Sequence, residues 1–181
     1  MYIAQEKRKN NIAEYILYMW QIEDLIRAFN FDIEKINKEL VSQYDVTKKQ
    51  RFEIESWYGG LAESMLTEGI RVNGHLQYLV SLVDDLNDFH FRLIDSSHQA
   101  EYQKKYLNSV RDISELRKKM GDKERISDME VCLTALYGLL LMRLKKKKIS
   151  EDTEKVLSTF SELLAELSKI YNSVETGQIE I

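Results

Sequence analysis

The chain has 181 residues, enough for one domain that buries roughly 70% of its unfolded surface. With 44% apolar and 31% charged residues it is too apolar for intrinsic disorder. Its single cysteine, Cys132, excludes an internal disulfide and points to a reducing compartment, the cytoplasm. A formal net charge of -4 excludes global attraction to nucleic acid or anionic lipid, so either would need a local basic patch.

Proline is absent from the whole sequence, so nothing removes a backbone donor or clashes with a preceding helical turn. Apolar residues recur three or four positions apart, beginning with Ile12, Tyr15, Met19, Ile22, Ile26 and Phe29. These line one face of a helix predicted over residues 5–30. Asp32 reads as the N-cap of a short helix over residues 33–43, because its carboxylate can accept orphan N–H groups. Ile33, Ile36 and Leu40 nevertheless keep the heptad phase of the first helix, so residues 30–32 read either as a loop or as a bend in one long helix. Thr47 and Gln50 form a capping box for a second long helix reaching residue 72, where Asn73-Gly74 closes it. Its seam runs through Ile54, Tyr58, Leu61, Met65, Glu68 and Val72. Gly59-Gly60 interrupts that helix at a cost of up to about 1 kcal/mol per glycine relative to alanine. The pair predicts a close backbone approach or a kink, with ligand contact as the less favoured explanation.

Leu76, Leu79, Val83, Leu86, His90 and Leu93 mark the next helix, ending near residues 95–97. Tyr106, Val110, Ile113, Leu116 and Met120 mark another over residues 99–120, stopped by Gly121-Asp122. Ser127 and Glu130 form a capping box before a helix carrying Met129, Leu133, Leu136 and Leu140. Lys145, Lys146, Lys147 and Lys148 follow it, where positive charge complements the helix dipole. Ser150 caps the last helix, whose seam is Val156, Phe160, Leu163, Leu167, Ile170 and Val174, and residues 176–181 read as a frayed tail. Short connections favour antiparallel neighbours, and heptad-like spacing favours crossing angles of about +20°. The predicted fold is all-α: an up-and-down antiparallel helical bundle of five long helices plus one short helix, in a single domain over residues 1–175. The most apolar stretch, residues 131–142, is 12 residues long against the about 20 that span a bilayer. Residues 1–11 are polar and basic, unlike a signal peptide.

Several residues invite chemistry. Asp84, Asp85 and Asp88 spell the DDxxD pattern with which helical prenyl-diphosphate enzymes hold magnesium, and such spacing puts carboxylates on one helix face. No second aspartate-rich motif accompanies it, and a solvated acidic face is the favoured reading. Glu151 and Glu154 make the only ExxE pair, in a first helical turn where acidic residues are stabilised by the dipole alone. The three histidines, His75, His90 and His98, complete no Glu-x-x-His pair of the di-iron type; Asp95 and His98 come nearest. His90 and Glu68 fall on apolar seams, and a buried carboxylate needs a partner. Trp20, Glu23, Arg27, Glu68 and His90 therefore form a candidate internal polar pocket, in which Glu23 and Arg27 are spaced for an ion pair. A structural hydrogen-bond network is favoured there over a catalytic one. Cys132 lies on an apolar face without adjacent positive charge, and neither a GxSxG turn nor a Gly-rich phosphate loop occurs. Basic groups at Lys7 to Lys9, Lys48, Lys49 and Arg51, Arg117 to Arg125, and Lys145, Lys146, Lys147 and Lys148 are candidate anion sites at helix ends. No exposed aromatic series interleaves with them to stack bases, so solvated helix tips are favoured.

Three stretches near the N-terminus carry a resemblance: Ile3-Ala4-Gln5-Glu6-Lys7-Arg8-Lys9, Asn11-Ile12-Ala13-Glu14-Tyr15, and Met19-Trp20-Gln21-Ile22-Glu23-Asp24-Leu25-Ile26-Arg27. They resemble the opening of a bacterial family of domains of unknown function typical of Bacteroidetes. The likeness includes Trp57-Tyr58-Gly59-Gly60-Leu61 and extends over the chain at lower density. It implies a helical, cytoplasmic protein and supplies no activity, cofactor or catalytic residue.

Regular apolar seams without a catalytic constellation predict a non-enzymatic helical interaction or assembly module, bound to a protein partner or to itself as a homodimer. Apolar residues beyond a single stripe, such as Ile16, Leu17, Tyr18 and Trp20, or Leu139, Leu141 and Met142, require neighbours. The alternative is a magnesium-dependent enzyme acting on a phosphorylated or diphosphate metabolite through Asp84, Asp85 and Asp88. Nucleic-acid contact through the lysines at 145–148 is the weaker alternative.

Overall fold

The computed structural model describes residues 1–121 and 126–181. Among them the chain forms eight α-helices and no strand: α1 Tyr2–Asn10, α2 Ile12–Ala28, α3 Ile33–Glu39, α4 Lys48–Thr67, α5 Gln77–Asp95, α6 Ala100–Lys119, α7 Asp128–Leu144 and α8 Glu151–Glu175. A 3₁₀ turn, Val41–Gln43, follows α3. The all-helical class is therefore the predicted one. Six of these helices have 17 or more residues, one for each long apolar seam read in chain order and one more than the five of the predicted bundle. The first predicted helix is divided at Asn11, a residue whose side chain competes for backbone hydrogen bonds and favours helix ends.

Local chemistry sets the boundaries. After α2, Asn30 N–H donates to Arg27 C=O at 2.8 Å and Phe31 N–H to Ile26 C=O at 3.0 Å. With Asn30 and Phe31 at φ 52 and 62, this is a left-handed helix stop. Asp32 then accepts from Lys35 N–H at 3.0 Å and opens α3, so residues 30–32 are a loop despite the continuous heptad phase. The capping box of Thr47 and Gln50 is present at the start of α4. Ser127 and Ser150 cap α7 and α8 by accepting from Glu130 N–H and Thr153 N–H.

The end of α4 departs from expectation. Gly69, at φ 74, stops the helix at Thr67, with Ile70 N–H donating to Met65 C=O at 3.0 Å. Val72, expected on the seam, is 86% exposed. Gly59 and Gly60 also behave differently, since a Cβ added at either would meet nothing within 4 Å. Neither marks a close backbone approach, and α4 continues through both.

The chain divides into two compact units, Met1–Arg8 with Glu14–Ser81, and Lys9–Ala13 with Leu82–Ile181. In the first, α3 and the 3₁₀ turn pack on α4. Arg51 fastens them by donating to Val41 C=O at 2.8 Å and Tyr44 C=O at 3.2 Å. Its core includes Ile16, Met19, Trp20, Ile36, Tyr58 and Met65, so Ile16 and Trp20 are core rather than surplus apolar surface. In the second unit, α6, α7 and α8 pack on one another around Tyr102, Ile113, Met129, Leu133, Phe160 and Leu163. Among the described residues no helix is long and apolar enough to cross a membrane.

Because Gly60 is exposed in a helix interior with free space around its Cα, Gly60→Ala should stabilise the fold by about 0.5–1 kcal/mol in urea unfolding. A loss of stability would show that a backbone contact occupies that space.

Candidate functional site

Two buried polar clusters form, one in each unit, and each centres on a carboxylate at the start of a helix. In the first unit α5 begins directly after Leu76, and its leading N–H groups need acceptors. Glu23 on α2 accepts from Leu76 N–H at 2.8 Å, and Glu68 at the end of α4 accepts from Gln77 N–H at 2.7 Å. The fully buried Glu23 has its second oxygen 2.5 Å from His75 Nδ1. The His75 ring in turn stacks on Trp20 with centroids 4.3 Å apart and planes inclined by 15°. With Glu23 accepting, Nδ1 carries the proton that faces the carboxylate.

Arg27 works on the same segment. Its Nε donates to Ile70 C=O at 3.3 Å and one Nη to Gly74 C=O at 2.5 Å, while the other pairs with Asp24 at 2.9 Å. The expected Glu23–Arg27 ion pair is thus replaced by Asp24–Arg27 and Glu23–His75, because each side chain turns to the segment before α5. That segment is tight: Gly74 has φ 91, and a Cβ there would come 3.2 Å from Ile70 Cγ2. Trp20, Glu23 and Arg27 therefore come together around residues 70–77. Glu68 is exposed rather than buried on a seam, since α4 stops one residue before it.

His90 belongs to the second cluster. It is fully buried on α5, with Nδ1 2.5 Å from the Tyr102 hydroxyl. Its Nε2 lies 3.6 Å from Asp128 Oδ2, beyond ordinary hydrogen-bond length, so that contact is chiefly electrostatic. A Tyr102 hydroxyl donating to Nδ1 puts the ring proton on Nε2, facing the carboxylate. Asp128, at the first position of α7, also accepts from Tyr106 at 2.8 Å and pairs with Arg117. Arg117 donates in addition to Ile126 C=O at 2.9 Å. Burial alone would raise the Asp128 carboxyl, but contacts from His90, Tyr106 and Arg117, together with the Arg117 charge, outweigh it and hold it at about 2. Burial, reinforced by the neighbouring Asp128, pushes the Tyr106 hydroxyl up to about 12 and moves the Cys132 thiol upward as well. Neither offers a ready nucleophile.

The remaining candidates are scattered. Asp84, Asp85 and Asp88 are all exposed on α5. Asp85 and Asp88 line an open groove of about 660 Å³ with Phe91, Arg92 and Tyr171. Among the described residues no three His, Cys, Asp or Glu side chains are grouped to hold a metal ion. Lys48 and Lys49 are exposed, as are Lys145, Lys146, Lys147 and Lys148. Arg51 is not available as an anion ligand, because its guanidinium is spent on backbone carbonyls. Arg117 is likewise drawn from the predicted basic group into the Asp128 cluster. Asp122, Lys123 and Arg125 lie outside the described residues. A groove of about 690 Å³ between α7 and α8 was not anticipated; it is lined by Leu136, Leu140, Leu144 and Leu157 with Arg143 and Glu154.

Sequence reasoning found His90, Glu23 and Trp20 but missed His75, Tyr102, Tyr106 and Asp128. A signal existed for part of the second cluster, since Tyr102 and Tyr106 sit one turn apart on α6 and so share a face. Nothing local marked His75.

Fold and clusters together define an all-helical protein with two internal hydrogen-bonded clusters, each built on a carboxylate at a helix start. The chain matches the family described as "Domain of unknown function (DUF4924)" over residues 1–178, and it belongs to that family. No curated protein and no solved structure matches it.

The depressed Asp128 carboxyl has a defined pH consequence. Its stabilising contribution is complete above the unfolded value of about 4 and is lost as pH falls toward about 2. Asp128→Asn should be less stable than the parent at neutral pH, with the difference narrowing across that acid interval in urea titrations followed by circular dichroism. A difference independent of pH would contradict the role given to Asp128.

Proposed function

We propose that the protein is a non-enzymatic helical interaction and assembly module of the cytoplasm, with α6, α7 and α8 as antiparallel neighbours and the α7–α8 face as its contact surface. The supporting observation is α7 itself. It is apolar on almost every side, which ordinarily means burial, yet Leu136, Leu140, Leu141 and Met142 are only half-buried and Leu144 is 70% exposed. An apolar helix face that the fold leaves open fits a partner. The polar groups support the same reading, because Glu23 and Asp128 spend their oxygens on backbone N–H groups and side chains that fasten helix starts. No observation favours the magnesium-dependent alternative over this one.

Leucines kept for a partner contribute little to the isolated fold. Replacing Leu140 and Leu144 with Gln should cost no more than about 1 kcal/mol each in urea unfolding, while abolishing binding of a hydrophobic dye to the groove. A loss of about 3 kcal/mol or more per site, as for truncating a buried leucine, would identify these residues as core and defeat the reading.

A further inference from the structure

We infer that the partner received by the α7–α8 groove is a second copy of this chain, docked face to face about a two-fold axis. The inference rests on the interaction reading above and adds the identity of the occupant. In a two-fold contact the same patch meets itself, so a patch of one sign repels its copy and only a self-complementary patch can close. The groove satisfies that condition. Arg143 and Glu154 stand among its leucines. Just beyond the end of α7 lie the exposed lysines 145, 146, 147 and 148, and the first turn of α8 presents exposed Glu151, Asp152 and Glu154. A basic block and an acidic block thus stand beside each other at one end of the apolar groove, separated in sequence only by Ile149 and Ser150. A two-fold axis running along the groove sets α7 of each copy against α8 of the other, and so each basic block against the other copy's acidic block, while the leucines close over one another. An anionic membrane would match the lysines and leucines but would be repelled by the three carboxylates, so the second copy is the better fit.

Sedimentation velocity of the full chain from low to high micromolar concentration tests this, with the Lys145→Glu/Lys147→Glu and Glu151→Lys/Glu154→Lys variants run alone and mixed. The expected result is a concentration-dependent dimer that weakens at high salt. Each charge variant alone should be monomeric, and the equimolar mixture should recover a heterodimer. A parent chain monomeric throughout, or charge variants that dimerise alone as well as the parent does, would overturn the inference. Co-sedimentation of a monomeric parent with phosphatidylserine vesicles would overturn it in favour of a membrane surface. The leucine substitutions separate the two failures: if they leave stability intact and the parent is monomeric, the groove serves a different partner, whereas if they unfold the chain the interaction reading itself is lost.

Discussion

A carboxylate taken out of water must find donors, and the two buried carboxylates among the described residues, Glu23 and Asp128, find them where helix starts supply positive potential. Glu23 accepts the N–H of Leu76, directly before α5, and meets His75, while Asp128 stands in the first turn of α7 among His90, Tyr106 and Arg117. Unpaired, either would cost several kcal/mol, enough to rival the whole stability of an ordinary domain. Satisfied, each becomes a fastener. Glu23 draws α2 to the segment before α5, and Asp128 draws α5 and α6 to the start of α7. The remaining local structure follows from those anchors: Arg27 grips Ile70 and Gly74, and Arg117 grips Ile126.

This use of polar groups shapes the functional reading. A histidine oriented by a carboxylate is also an element of general-base and metal chemistry, and two such pairs occur here. His90 is enclosed with its partners, whereas His75 keeps a third of its side chain exposed but is held flat on Trp20. Along α7 the fold leaves an apolar groove open, with charges of both signs at its rim. On the function proposed above, that groove is the surface for association and the buried acid and imidazole groups hold helix starts in place.

Much of the fold was legible because its signals are local. Asp32, Thr47, Ser127 and Ser150 announce helix starts within three residues of themselves, and apolar spacing marks the helices between. Stops were harder. Gly69 offered a signal that Asn73-Gly74 eclipsed, and the stops at Asn30 and Lys146 use non-glycine residues in the left-handed region. The clusters were least legible, since His75 meets Glu23 across 52 positions and Tyr106 meets Asp128 across 22. A seam shows that His90 faces inward; it cannot show whose hydroxyl and carboxylate receive it. Glu68 failed for the converse reason, as its place on the seam lapsed once the helix ended at Thr67.

Exchange of imidazole Cε1 hydrogen for deuterium, followed residue by residue by mass spectrometry, tests directly whether the second cluster is closed to solvent. His98 is exposed and serves as the internal reference, while His90 is fully buried. A closed structural network predicts that His90 exchanges far more slowly than His98 at neutral pH. Comparable rates at the two positions would mean that solvent reaches His90 and Asp128, and would contradict the claim that this chemistry is structural.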